Sequence, residues 1–298
     1  MKKSRILALI GVFALNLAFA QDYTFKVMAN KGTNEVKSGD VWQSVKTGDR
    51  LKSGDELKIS ENSYVALVHS TGKPVEIRQS GNYKVNDLAS KVGGGASVLN
   101  KYTDFILSSN SAEAKKNRLS ATGAVHRGLS DIKVFLPDNQ YSDIFNKSLI
   151  VNWESVKGAG PYVVIVKNMF DEELVKLETP ENYVVIDRTD PKLANDEALL
   201  IEVKSKADAK SKSEQHLVKK LSVARQESVK KMIDEMGSDM KEETALNKFI
   251  LAGFYEENKL FIDAITAYEQ AIKLAPDVPT FQEAYEEFLL RNKLKNPK

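Results

Sequence analysis

The sequence predicts a multidomain α+β protein with an N-terminal all-β domain, a β-sandwich middle domain and C-terminal α-helical hairpins. Three observations predict this class. Alternating apolar residues separated by Gly, Asn and Ser turns fill residues 22–92, and the same alternation returns over 130–205. Apolar residues at helical three- and four-residue steps then follow from 206 onward. The length corresponds to about two to three domains, so we expect several modest cores.

The pattern divides the chain into six segments. They are a signal peptide at 1–20, a β-domain at 21–95, a helical linker and loop at 96–129, a β-sandwich at 130–205, an amphipathic helix at 206–240 and a helical-repeat segment at 241–298.

Residues 1–20 have the pattern of a cleavable signal peptide. A basic start precedes an apolar run over 6–17, and the small residues Ala18 and Ala20 then flank bulky Phe19, as signal peptidase requires. The run is short for a membrane span, so a retained anchor is the alternative. No cysteine stands at the cut, which argues against a lipoprotein anchor. We therefore expect a periplasmic or secreted protein.

Composition excludes several classes of function. The chain has 43 Lys+Arg against 41 Asp+Glu, and the predicted cleavage removes three cations, which leaves 40 against 41. Such a balance gives no global attraction to nucleic acid. Because the chain contains no cysteine, disulfides, thiolate nucleophiles and thiolate metal sites are excluded.

The β-domain contains two similar turns, Lys46-Thr-Gly-Asp49 and Lys52-Ser-Gly-Asp55. Glycine supplies the positive φ of a tight turn, and the adjacent aspartate can accept hydrogen bonds from the turn's own amides. The turn spacing favours a β-meander or small barrel. The alternative for Asp49 and Asp55 is a Ca²⁺ site, but two ligands fall short of the six to eight oxygens that calcium takes.

The same stretch resembles the FecR-type periplasmic domain over residues 38–92. The residues that carry the resemblance are Trp42, Gly48, Asp49, Leu51, Gly54 and Asp55. The resemblance implies an association with periplasmic signalling or envelope assembly. FecR proper has a cytoplasmic segment and a membrane span before this domain, where the present chain has its predicted signal peptide.

The linker segment holds one candidate binding loop. Val98, Tyr102 and Ile106 recur at helical spacing, and a loop over 122–128 follows. In this loop His126 and Arg127 stand between glycines, a pairing that can recognise a carboxylate or phosphate. The alternative is that the glycines bend the chain and the arginine pairs with a carboxylate or caps a helix.

The middle segment predicts about six short strands. Alternating apolar residues occur around 132–136, 149–153, 162–166 and 199–203, with turn residues between them. An early Trp153 followed by the pattern Tyr162-x-Val-x-Val resembles a fibronectin type III or immunoglobulin-like domain.

Residues 206–236 predict one helix with a basic first half. Its expected apolar face is Leu217, Leu221, Ala224, Ser228, Met232 and Met236. Nucleic-acid or anionic-membrane binding is the alternative to a solvated lysine face. The basic stretch lacks aromatic residues that would stack on bases, so the structural interpretation is preferred.

Residues 245–278 resemble one tetratricopeptide repeat. Its motif residues are Leu251, Ala252 and Tyr255 in the first helix, Ala264, Tyr268 and Ala271 in the second, and Pro276 at the end. Lys248 replaces the family's usual tryptophan, and a further helix is predicted over 280–294. We expect the preceding helix to pack on the other side, since one repeat cannot bury its faces alone. A generic helical hairpin is the alternative.

The remaining residues offer little chemistry. His69, His126 and His216 lie 57 and 90 residues apart and lack metal-ligand spacing, so zinc is not expected. No catalytic, cofactor-binding or metal-binding residue is predicted. Tyr255, Tyr268 and Tyr285 are expected to be core residues rather than contacts.

We therefore predict an exported, non-enzymatic interaction or scaffold protein of the bacterial cell envelope. The resemblance to the helical repeat implies that an envelope protein or peptide docks there, without nucleic acid and with peripheral membrane contact at most. One alternative is a FecR-type periplasmic signalling or regulatory component. The other is a polysaccharide-binding module or envelope enzyme, for which Trp42 and Trp153 would be the available aromatic platforms.

Overall fold

The computed structural model describes residues 23–92, 98–121, 132–156, 158–208 and 210–296. Within these ranges, β-sheets occupy the N-terminal two-thirds and helices dominate the C-terminal part, so the predicted α+β class is confirmed. The predicted signal peptide lies outside the described residues. No helix in the described ranges has both the length and the apolar character needed to span a membrane.

The N-terminal domain consists of short strands followed by one short helix. The elements are β1 Phe25–Lys31, β2 Glu35–Ser38, β3 Val41–Ser44, β4 Arg50–Leu51, β5 Glu56–Ile59, β6 Tyr64–His69, β7 Pro74–Ile77, β8 Gly81–Lys84 and α1 Val85–Ser90.

These strands form two sheets, and the expectation of a β-meander or small barrel is wrong. One sheet has the order β4–β1–β6–β7 and the other β3–β2–β5–β8. The chain alternates between the sheets because each short strand needs a facing apolar layer. Phe25, Val65 and Leu67 of the first sheet share a core with Leu57 and Ile59 of the second.

Strand β6 is buried on both of its faces. Val65 and Leu67 point into the N-terminal core, whereas Tyr64, Ala66 and Val68 belong to a second, larger core. The two sets alternate because successive side chains of a strand point to opposite faces. The second face of this sheet is therefore available to pack against the helices.

Two helices follow the N-terminal domain, α2 Leu99–Ser109 and α3 Ala112–Ala121. The predicted helical spacing is confirmed, because Tyr102 and Ile106 are buried on one side of α2.

The middle domain has seven strands. They are β9 Asp143–Ile144, β10 Ser148–Asn152, β11 Tyr162–Lys167, β12 Glu173–Thr179, β13 Tyr183–Asp187, β14 Ala198–Ser205 and β15 His216–Lys220. Five form a sheet of order β12–β11–β14–β15–β9, and β10 pairs with β13. The predicted first strand, 132–136, appears only as an isolated bridge between Val134 and Trp153.

The predicted helix over 206–236 is wrong in its first half. Residues 216–220 form β15, and Leu199 pairs with Val218 across the sheet. Helix α4 covers only Val223–Glu235. Pairing with β14 buries Val218 completely, and this tertiary contact overrides the helical spacing of the sequence. Within α4, Val229 is buried while the predicted face residues Ala224 and Ser228 are exposed.

Three helices form the C-terminal segment, α5 Ala245–Glu257, α6 Phe261–Leu274 and α7 Pro279–Arg291. The predicted hairpin and the further helix are confirmed as elements. The Thr244 side chain accepts a hydrogen bond from the Asn247 amide at 3.2 Å and so caps α5. The outer neighbour of α5 is α2 rather than the preceding helix, since the rings of Tyr102 and Phe254 lie 5.1 Å apart.

The C-terminal helices lie between the two β-domains and join them. On one side, Phe281 of α7 packs against Tyr64 of β6, with ring centroids 5.9 Å apart. On the other side, α6 contacts β9 and β10 of the middle domain. One apolar core therefore runs from the N-terminal sheet through the helices into the middle domain.

Candidate functional site

A groove of about 480 Å³ opens between the α5–α6 hairpin and the loop that joins β9 to β10. Its volume lies within the range of about 300 to 1,000 Å³ that ligand pockets occupy. One wall is the loop segment 145–148. The opposite wall consists of Lys248, Leu251 and Tyr255 from α5 with Thr266, Ala267 and Gln270 from α6.

The helical wall follows directly from the spacing of the sequence. Lys248, Leu251 and Tyr255 are separated by three and four residues, so they lie along one face of α5. Tyr255 is buried at the base, and Leu251 is half-buried. This face of α5 is therefore partly accessible at Lys248 and Leu251 and covered at Tyr255.

The loop wall is held in place by a buried carboxylate of α6. Asp263 accepts hydrogen bonds from two successive backbone amides, that of Phe145 at 2.9 Å and that of Asn146 at 2.8 Å. One turn further along α6, the Thr266 hydroxyl accepts a hydrogen bond from the Ile150 amide at 3.0 Å. The outer edge of β10 is thus anchored to the helix by side chains.

Burial raises the pKa of Asp263 to about 6, although the amides of Phe145 and Asn146 act in the opposite direction by stabilising the charged form. Burial also raises the pKa of the neighbouring Tyr255, and the charge of Asp263 adds to that effect. The Tyr255 hydroxyl donates to Asn146 at 3.4 Å. Tyr255 lies at the base of the groove, and Asp263, which does not itself line the groove, holds the loop wall in position.

The rim of the groove is basic and its interior is mainly apolar. Lys147 is exposed on the loop side, and Lys248 on the helix side forms a salt bridge with Glu243 at 2.8 Å. The residues lining the groove include no histidine, cysteine or carboxylate. This arrangement can bind an apolar side chain that carries a carboxylate beside it.

The structure separates the predicted repeat residues into two groups. Leu251 and Tyr255 line the groove. Ala252, Ala264, Tyr268 and Ala271 are buried between the helices, and Pro276 is exposed just beyond α6. Tyr285 is buried as predicted, and its ring stacks on that of Tyr268 at 5.5 Å.

The six residues that carry the resemblance in the N-terminal domain lie in β3, in β4 and in the turns on either side of β4, and none of them lines the groove. The Asp49 carboxylate accepts a hydrogen bond from the Lys46 amide at 2.7 Å, and Asp55 does the same for Lys52 at 2.7 Å. Gly48 has φ +93°, and Leu51 is buried. Gly54 takes no positive φ, so only the first of the two glycines has the predicted conformation. The role predicted for both aspartates in their own turns is confirmed.

Trp42 is the exposed aromatic residue of that motif. Its side chain is 39% exposed on β3, and the Lys58 ammonium lies 5.8 Å from the centre of its ring. Trp153, in contrast, is fully buried against Tyr162 in the middle domain. Only the first of the two tryptophans can offer a platform to a ligand.

The histidines are distributed over separate elements. His69 ends β6, and its Nδ1 lies 2.8 Å from the Thr71 hydroxyl. His216 lies in β15 rather than in a helix, and burial lowers its pKa to about 4. The candidate loop residues His126 and Arg127 lie outside the described residues. Within the described ranges, no group of three His, Asp or Glu side chains could hold a metal ion.

Sequence reasoning missed the loop wall of the groove and the carboxylate that holds it. A signal existed in α6, where Asp263 stands inside the run Phe261-Ile-Asp-Ala-Ile265. A carboxylate within an apolar helix stretch requires a buried partner. The partner amides, 117 and 118 residues away, could not be read from spacing.

No protein family matches this chain, and no curated protein is significantly similar to it.

Proposed function

We propose that this chain is an exported, non-catalytic docking protein of the bacterial cell envelope that binds a segment of a partner protein in the groove beside α5. The observation that carries the proposal is the groove itself, where Lys248 and Leu251 of α5 are only half-buried and Tyr255 lies buried at the base. The other faces of the hairpin are covered by the chain's own domains. A rigid groove with an apolar interior and a basic rim favours a peptide with an apolar side chain next to a carboxylate.

The proposal includes domain identities for the two β-domains. The motif around Trp42 supports a FecR-like N-terminal domain. For the middle domain, the two-stranded and the five-stranded sheet, whose buried residues share one core with Trp153, support an immunoglobulin-like or fibronectin type III-like arrangement. The helices would then be a tetratricopeptide-type hairpin held between two scaffolding domains.

Site-specific photo-crosslinking in cells tests the docking proposal. A crosslinker at Gln270, inside the groove, is expected to give one discrete adduct with a protein partner, and Leu251→Glu in the same chain should abolish it. The matched control places the crosslinker at Lys84, an exposed residue of β8. Equal adducts at both positions, or none at Gln270, would overturn the proposal. Circular dichroism of each variant verifies that it is folded.

A second candidate function is polysaccharide binding, which the exposure of Trp42 favours. An indole ring beside the Lys58 ammonium can stack on a sugar face. Binding of the protein to purified cell-wall or capsule polymer, lost in Trp42→Ala and retained in Leu251→Glu, would favour this function over docking. The reverse pattern would exclude it.

A FecR-type signalling role is the third proposal, and it depends on the N-terminus. A signalling component of that type needs a membrane segment that stays attached. Mass spectrometry that finds Gln21 at the amino terminus of the protein would argue against signalling, whereas a retained segment over 1–20 would favour it.

A further inference from the structure

The hairpin between β11 and β12 ends in an exposed apolar tip. Met169 is 54% exposed and Phe170 is 85% exposed, the highest value among the large apolar side chains in the described ranges. Single exposed apolar residues are common on protein surfaces, but two adjacent ones at the end of a projecting hairpin form a continuous apolar knob. We call residues 169–170 the tip.

The tip is held rigidly by the buried side chain of Asn168. Its Oδ1 accepts hydrogen bonds from the amides of Phe170 at 2.9 Å and Glu172 at 3.1 Å, and its Nδ2 donates to the Glu172 carboxylate at 2.6 Å. Asp171 closes the turn with φ +66°. A partner that covers the tip therefore loses little conformational entropy in ordering it.

The residues beside the tip are acidic. Asp171, Glu172 and Glu173 follow directly in the sequence, and Lys167 forms a salt bridge with Asp171 at 2.7 Å. The Lys167 ammonium and the Gln215 amide lower the pKa of Asp171, so its carboxylate is charged at neutral pH. This charge disfavours an anionic membrane surface as the partner, since such surfaces attract cations.

The groove has the complementary properties. Its interior offers Leu251, Ala267 and the Tyr255 ring, and Lys147 and Lys248 stand on its rim. Lys147 is the exposed lysine of the rim, whereas the Lys248 side chain is 15% exposed and pairs with Glu243, whose side chain is 75% exposed, so a partner carboxylate would have to replace Glu243 at Lys248. The tip, which is apolar and lies beside acidic residues, is thus complementary to the groove, which has an apolar interior and a basic rim.

We propose that the tip of one copy of this chain inserts into the groove of a second copy. The contact is heterologous, because it joins the tip of one copy to the groove of another. Each copy therefore has a tip for one contact and a groove for a second. This inference rests on the proposed function, because it names a partner for the groove. Phe170 would occupy the apolar interior while the carboxylates of residues 171–173 face the two lysines on the rim.

Sedimentation equilibrium of the purified protein tests the contact. Self-association is expected at low salt and should weaken at high salt, because salt screens the exposed charges. Phe170→Ser should weaken it at least tenfold, and Leu251→Glu should do the same from the other side. Val223→Ser, which alters an apolar side chain 73% exposed on α4, is the matched control and should leave association unchanged.

Mixing the two defective variants gives the decisive result. Phe170→Ser keeps an intact groove and Leu251→Glu keeps an intact tip, so the mixture should form a one-to-one complex although neither variant associates alone. Because the chain has no cysteine, Met169→Cys and Gln270→Cys can also be mixed and oxidised, and a disulfide-linked dimer of the two is expected. Lys84→Cys in place of Gln270→Cys should give none.

The outcomes separate this inference from the proposed function. A wild-type protein that stays monomeric, while Gln270 still crosslinks to a different protein in cells, overturns self-association and leaves docking supported. Self-association that survives both Phe170→Ser and Leu251→Glu also overturns the tip-to-groove contact. A groove that binds neither a second copy nor another protein overturns both proposals.

Discussion

At the scale of single residues, Asp263 links the helical hairpin to the middle domain. Its two carboxylate oxygens accept hydrogen bonds from the backbone amides of Phe145 and Asn146, so one side chain fixes the loop that forms a wall of the groove. The side chain is fully buried. A charge in that position is costly unless hydrogen bonds compensate for it, and here burial outweighs the bonds.

The protonation of Asp263 predicts a dependence of stability on pH. Its pKa is about 6 in the folded protein against 3.8 for the unperturbed side chain. Between these two pH values the folded state binds more protons than the unfolded state. The contribution of Asp263 protonation to the free energy of unfolding is therefore fully present below pH 3.8 and is lost as the pH rises through 6. The difference between the folded and the unperturbed pKa corresponds to about 3 kcal/mol in the free energy of unfolding.

Urea unfolding from pH 4 to 7.5 measures this effect, with Asp263→Asn as the reference because it does not titrate. The free energy of unfolding of the wild type, relative to that of Asp263→Asn, should fall as pH rises, mainly between pH 4 and 6. A relative free energy that is constant across this range, or that rises with pH, would contradict the prediction.

At the scale of elements, helices α2 and α5 approach closely at a glycine. A Cβ atom on Gly253 would lie 2.5 Å from Cγ1 and 2.6 Å from Cδ1 of Ile106. Glycine inside a helix costs about 1 kcal/mol relative to alanine, so its presence indicates that contact between the two helices outweighs helix propensity.

Gly253→Ala is therefore expected to lower the free energy of unfolding by about 1 kcal/mol, because overpacking of 1 to 3 kcal/mol exceeds the gain in helix propensity. In an Ile106→Ala background the obstructing atoms are absent, so the same substitution should stabilise by about 0.5 to 1 kcal/mol. Chemical denaturation of the four proteins measures this reversal. The same sign in both backgrounds would show that close packing is not the reason for the glycine.

The strands and helices that could be predicted are those whose apolar residues follow one period and so mark a single buried face. The α5–α6 hairpin follows from its small and aromatic residues, and α2 follows from the spacing of Tyr102 and Ile106. Strand β15 could not be predicted, because its lysine-rich sequence shows a helical period and only pairing with β14 makes it a strand. The uninterrupted apolar run of β6 did carry a signal of burial on both faces.

The groove was predictable only in part. The motif residues Leu251 and Tyr255 were identified as repeat positions, which placed one wall. The other wall comes from a loop more than one hundred residues earlier in the chain, and its position depends on tertiary hydrogen bonds. Spacing within a sequence carries no information about such contacts.

At the scale of the whole molecule, the larger apolar core is shared by all three parts. The sequence predicted several modest cores, but the C-terminal helices bury residues of both β-domains. The Lys31–Asp277 salt bridge at 2.8 Å also joins the N-terminal domain to the turn after α6. The parts are therefore expected to unfold together rather than one by one.

Removal of the C-terminal helices tests this coupling. A chain that ends at residue 240 would expose Tyr64, Ala66 and Val68 of the N-terminal sheet, together with the edge of β10. We expect it to bind a hydrophobic dye and to lose the single thermal transition of the full chain. A truncated chain whose two β-domains melt as sharply as in the full protein, without dye binding, would show that the domains are independent.

The long stretch of chain between β6 and α7 has a consequence for biosynthesis. A ribosome completes the N-terminal sheet long before it adds Phe281, the residue that covers Tyr64. Until α7 emerges, the growing polypeptide carries an uncovered apolar surface that chaperones or neighbouring nascent chains can bind. Slow translation of the codons for α7 should therefore lower the yield of correctly assembled protein.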